Sequence, residues 1–214
     1  MLAKIFIIAA VTALTAAASA ATPLPADIDP RSLSRLAPVE RAALDEEGRR
    51  VYDVIRMGQP TIPANGPAAI SMYSPGAAEP IHRLNQYLRT TVVGPRYFEL
   101  AAVATARDFH QQFEWSAHEP AGRKAGLSDA VIEAVRLDRP VTGLPEKEAT
   151  VILLERALIR DHRVSSALWA KTVELFGSQG AVELAAIIGD YSLAAVLLIA
   201  ADQQLPPGRT STLP

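Results

Sequence analysis

Glu99, Arg107, His110, Gln111, Glu114 and His118 stand close together in one stretch of the chain. At about 100° per residue, these six fall within a sector of about 120° on a single helix, with Val103 inside the same sector. Their neighbours are mostly small and apolar, with Phe109, Phe113 and Trp115 crowding around them. A polar stripe inside an apolar helix layer must pair its groups or shift their pKa values. A histidine sharing a proton with a carboxylate is an acid or base near neutral pH. Arg107 could grip a substrate carboxylate through two parallel N–H bonds. Spacing alone leaves three readings open. These are a buried Glu–Arg–His network that fixes packing, an acid–base site, or a metal site at Glu99, Glu114 and His118. The third lacks an HExxH pair. His82 lies on a separate segment and could face either solvent or a substrate.

Eight helical segments would position this stripe, after a proline-rich arm at residues 21–38 that reads as extended. The first helix covers 39–57, with Leu44, Val51, Val54 and Ile55 on one side. Residues 59–75 read as loop because Pro60, Pro63, Gly66, Pro67 and Pro75 punctuate them. Further helices are predicted at 77–92, 95–110, 112–124, 127–136, 146–161, 165–177 and 181–201. Pro95 suits a first turn and Ser128 an N-cap. Pro120 falls inside its helix and could kink it. The last segment is long, apolar and alanine-rich, but Glu183 and Asp190 would be costly inside a membrane. It reads as a core or subunit-interface helix. No alternating strand pattern appears, so the expected class is all-α.

Composition narrows the function. The 214 residues are 49% hydrophobic and 21% charged, with net charge −2 and no cysteine. This is one folded domain without disulfides, thiolate nucleophiles or zinc–thiolate sites, and without the basic patch that nucleic acid requires. Lys4 precedes a short apolar run, and Ala18-Ser19-Ala20 has the form of a signal-peptidase site. Residues 1–20 are expected to be a cleaved signal peptide, which makes the mature protein periplasmic or secreted, with no membrane contact after cleavage.

The order Glu99-Leu100-Ala101-Ala102-Val103-Ala104, Phe113-Glu114-Trp115-Ser116-Ala117-His118, Ala125-Gly126-Leu127-Ser128 and Val131-Ile132 resembles the carboxymuconolactone decarboxylase family. Phe113 stands where that family often has tyrosine. The resemblance spans about 34–207, including the region of Tyr191, and implies an alkylhydroperoxidase D-like helical bundle over 39–207 with a short tail at 208–214. In the family's peroxidase branch a glutamate is followed by CxxCxxxH. Here Glu99 and His118 match the glutamate and histidine, while the cysteine positions fall on Gln111 and Glu114. Thiol-based peroxide reduction is therefore unsupported.

With this resemblance added, the expected catalytic residues are His118, Glu114 and Glu99, and the expected substrate-binding residues are Arg107, His110 and Gln111. No metal and no cofactor are expected. The decarboxylase branch implies loss of carbon dioxide from a carboxylated ring, an extended enolate, and its protonation. The expectation is an exported, cofactor-independent lyase or isomerase acting on a small carboxylated or enolisable ring. The alternative is a ligand-binding or assembly protein on the same fold. The resemblance also implies a homo-oligomer, a trimer or its multiple.

Overall fold

The computed structural model describes residues 24–210 and 212–214, and among these the chain forms helices and no strand. The segment read as an export signal lies outside the described residues. Helix α1 (Glu46–Ile55) begins where the Asp45 side chain accepts a hydrogen bond from the Gly48 amide at 2.7 Å. Glu46 and Glu47 add negative charge at its positive end. The helix is shorter than the 39–57 expected, because Asp45 caps it and only one tight turn, Arg41–Ala43, precedes the cap.

The region expected to be loop hides a short helix, α2 (Pro67–Ser71), launched by Pro67. Gly66 before it has φ +90°, and a side chain there would press on the Phe113 ring. Helix α3 (Pro75–Leu88) likewise opens on a proline. Val51, Tyr52, Ile55, Ile62, Met72 and Ala78 bury together as a small core joining α1 to α3.

Helix α4 (Gly94–Asp108) is the centre of the bundle. Every residue from Phe98 to Ala106 is buried, so α4 has no solvated face along that length. It packs against α5 (Gln112–Lys124), α6 (Asp129–Arg136), α7 (Glu146–Ile159) and α8 (Ser166–Ala200). Pro120 is accommodated within α5, which runs to Lys124. Ser128 and Ser165 cap α6 and α8 by accepting from the amides of Val131 and Leu168. Gly177, at φ +72° and ψ +167°, breaks α8, matching the two segments expected there.

The 24–38 segment is not extended, contrary to its proline content. Asp29 and Ser34 pair across a tight turn, and Ile28, Ser32 and Ser34 are buried. The Arg35 amide donates to the Ala201 carbonyl at 2.8 Å, and Gln203 Nε2 donates to the carbonyls of Ser32 and Leu33 at 3.0 Å. Backbone groups of this turn are thus paired by Ala201 and Gln203, just past α8. By length and hydropathy α8 could cross a membrane. Its buried residues include Glu183 and Asp190, and it packs against α2, α3, α4 and α7.

Candidate active site

The expected single polar stripe is interrupted where α4 ends. The Gln111 amide donates to the Ala106 carbonyl at 2.8 Å, and His110 adopts φ +49° between them. This is the hydrogen bonding of a Schellman stop, here with histidine in the left-handed position that glycine usually takes. The chain turns back, and α5 lies along α4.

Along one unbroken helix Glu99 and His118 would be about 28 Å apart. In the hairpin, His118 Nδ1 lies 2.7 Å from Glu99 Oε2, and the i,i+4 neighbour Glu114 places Oε2 3.3 Å from His118 Nε2. Gly122 on α5 leaves room for Leu127 to fold back against the helix, since a Cβ at that position would collide with the Leu127 side chain. All three site residues are buried.

Arg107, His110 and Gln111 do not join this group. The reversal leaves them at the turn end of the hairpin. Arg107 Nε donates to the Arg136 carbonyl at 2.8 Å, and His110 is exposed. Gln111 caps α5 by accepting from the Phe113 amide at 2.9 Å. The calculated sector assumed one continuous helix, and the break invalidates it for these three.

Other elements fill the places they leave. Tyr191 of α8 brings its hydroxyl to 3.1 Å from His118 Nε2, with the two rings edge to face at 4.8 Å. Arg89, just past α3, donates to the Tyr191 hydroxyl at 3.2 Å and lies over the Phe98 ring. Its Nε donates to Asn85 Oδ1, and Asn85 Nδ2 donates to Asp190 Oδ2 at 2.8 Å. His82, Asn85 and Arg89 share the face of α3 and its end that lines the cavity. A polar i, i+3, i+7 pattern was the available signal for them. Only His82 stood out on residue type.

These groups border a cavity of about 330 Å³, walled largely by apolar side chains such as Ile55, Ile81, Phe113 and Leu197. Glu114, His118, Asp190 and Tyr191 line it. Glu99 does not. It sits behind His118, committed to Nδ1, which leaves the Nε2 edge toward the cavity. The volume suits a single small ring.

Burial works against a charged His118, but hydrogen bonds from both ring nitrogens to Glu114 and Glu99 outweigh it, and its pKa is pushed up to about 9. At neutral pH the ring is an imidazolium with both N–H groups engaged. Burial raises the Tyr191 hydroxyl well above its ordinary range despite Arg89, so it remains a proton donor. Burial also raises Asp190, opposed by Asn85 and Arg89. The arrangement can hold a proton beside a small cavity and offer a neutral hydroxyl next to it. Among the described residues, no cluster of three or more His, Asp or Glu side chains is arranged to hold a metal ion.

No family model matches the chain, and no curated protein matches its sequence. Solved structures do match. One is an uncharacterized peroxidase-related protein from Ralstonia eutropha JMP134, described as an alkylhydroperoxidase AhpD core. It shares 16% identity at a TM-score of 0.66, over 82% of this chain and 93% of its own. Another is the debrominase Bmp8 in complex with 2,3,4-tribromopyrrole, with 13% identity and a TM-score of 0.61, over 80% of this chain and 91% of its own. At such identities the likeness is one of fold. The cysteine-free chain is an all-α protein with the alkylhydroperoxidase D-like fold that its sequence resemblance to carboxymuconolactone decarboxylases implied.

Proposed function

We propose that this protein is an exported, cofactor-independent lyase or isomerase that performs acid–base chemistry on a small carboxylated or enolisable ring. The observation that carries this reading is a histidine held between two buried carboxylates at the wall of a ring-sized cavity. The use of the same fold by a debrominase supports a catalytic role.

In this reading Arg89 neutralises a carboxylate or enolate oxygen on the guest. His118 Nε2–H and Arg89 both donate to the Tyr191 oxygen, which frees the Tyr191 proton for an oxygen of the guest. In a decarboxylation the C–C bond to the carboxylate breaks, carbon dioxide leaves, and the electron pair stays on the ring as an enolate. That enolate takes a proton at carbon from His118 Nε2, and water restores the proton. In an isomerisation Glu114 removes a proton from one carbon and His118 returns one at another. Glu99 orients the ring of His118 in both.

The test is solvent-deuterium incorporation. A panel of small enolisable ring carboxylic acids is incubated with the enzyme in D₂O and followed by NMR, which reports either reaction. Deuterium entering ring carbon at enzyme-dependent rates supports the reading. A panel that includes unsaturated lactone acids and yields no exchange counts against it.

The chain in this reading is cleaved between Ala20 and Ala21, as Ala18-Ser19-Ala20 suggests, and works outside the cytoplasm as a trimer or a multiple of one. The exposed apolar side chains Val182, Leu193, Val196 and Ile199 along α8 support assembly. Native mass spectrometry of exported protein should give subunits beginning at Ala21 in such an oligomer. An intact Met1 terminus, or a strict monomer at micromolar concentration, overturns the corresponding part.

A further inference from the structure

Beyond α8, Thr212 and Leu213 are tied back to the helical bundle. The Trp115 indole N–H donates to Thr212 Oγ1 at 2.7 Å, and Arg136 donates to the Thr212 carbonyl at 3.3 Å. Gln112 and Leu213 exchange two hydrogen bonds, from Gln112 Nε2 to the Leu213 carbonyl at 3.2 Å and from the Leu213 amide to Gln112 Oε1 at 3.3 Å. The Leu213 side chain is buried in the main core. Three of the four bonds reach α5, the helix that carries Glu114 and His118.

Arg209 lies just before these anchored residues. Its guanidinium lies 5.3 Å from the centroid of the Phe113 ring and donates to Ser116 Oγ at 3.3 Å, and its side chain lines the cavity. Among the described residues no carboxylate lies within 4.0 Å of it. Most arginines in this chain that are held in place, such as Arg41, Arg50, Arg136 and Arg160, are held by acids. Arg209 is exposed and is instead held by an aromatic face and a hydroxyl, which restrict its direction without supplying a carboxylate partner.

We propose that the C-terminal segment is a strap that holds Arg209 at the cavity rim as the recognition group for an anionic end of the guest. This rests on the same cavity as the proposed function and adds a residue that determines which guests it takes. Apolar walls accept the ring, Phe113 carries the guanidinium, and a carboxylate on the guest supplies the ion-pair partner that Arg209 lacks.

Benzoate and benzamide, planar rings of the same size differing in charge, serve as probes, with binding followed by calorimetry on the full mature chain. Wild-type protein should prefer benzoate. Arg209→Gln should weaken benzoate binding about tenfold and leave benzamide unchanged. Arg209→Lys should recover part of the loss. Thr212→Ala leaves Arg209 in place but removes an anchor, and it should weaken benzoate binding about threefold. Circular dichroism verifies that each variant is folded. Absence of a benzoate preference in wild type, or wild-type benzoate affinity in either Arg209→Gln or Thr212→Ala, overturns the proposal. A benzoate preference that is lost in Arg209→Gln, in a protein that shows no solvent-deuterium exchange, would uphold this proposal while the acid–base reading fails.

Discussion

His118→Gln should fold and should lower turnover on a true substrate by about 10²–10⁴-fold, the range expected when a positioned proton donor is removed. Glutamine keeps a hydrogen-bonding side chain between Glu99 and Glu114 but has no proton to deliver at Nε2. The wild-type rate should fall as pH rises through about 9, where the imidazolium is lost, and that alkaline limb should vanish in the variant. Glu99→Gln should behave differently. It removes one of the two carboxylates that favour the imidazolium, so the limb should move to lower pH while substantial turnover remains at pH 6. Stability adds a second readout. The folded-state pKa lies above the unfolded value of 6.5, so the stabilisation from a charged His118 is full below 6.5 and is lost as pH rises through about 9. The melting temperature of His118→Gln should therefore lie below wild type at pH 6 and approach it above pH 9. Undiminished turnover in a folded His118→Gln variant would remove His118 from the chemistry and favour a ligand-binding role.

Glu155→Gln should stabilise the protein in alkali. Glu155 on α7 is 1% exposed, and its Oε1 has no hydrogen-bond partner. Burial raises its pKa, Asp108 and Asp138 add to the rise, and Arg160 and Arg156 oppose it without cancelling it. The result is about 8. Between the ordinary glutamate value of 4.5 and 8, the folded chain holds a proton that the unfolded chain has released. Stability from this group therefore falls as pH rises through that window. Above it, a buried carboxylate opposes folding by about 5 kcal/mol. Glutamine cannot ionise. In the variant the melting temperature should rise by roughly 10 °C at pH 9 and change little at pH 5. Thermal scans across pH 5–9 check this, and a difference from wild type that stays constant with pH would refute a titrating Glu155.

Side-chain periodicity and short-range chemistry are written into the chain locally, and they carried much of the architecture. The spacing of apolar residues marked the helices. Ser128, Ser165 and Gly177 marked starts and a break, because a cap or a left-handed position depends on a few adjacent residues. Glu114 and His118, four apart within α5, were bound to share a face. Order and spacing of motifs were enough to relate Glu99 to His118. Tertiary structure decided which polar groups meet. The reversal at His110 carries no glycine to announce it, and it sent Arg107, His110 and Gln111 away from the site while bringing Glu99 to 2.7 Å from His118. Asp45 shortened α1, and the end of α8 drew the proline-rich arm into a turn. Arg89, Tyr191 and Arg209 reach one cavity from three distant parts of the chain. Helical periodicity specifies the face on which a residue lies. Which faces are buried against one another depends on packing between elements far apart in sequence, and no local pattern encodes that.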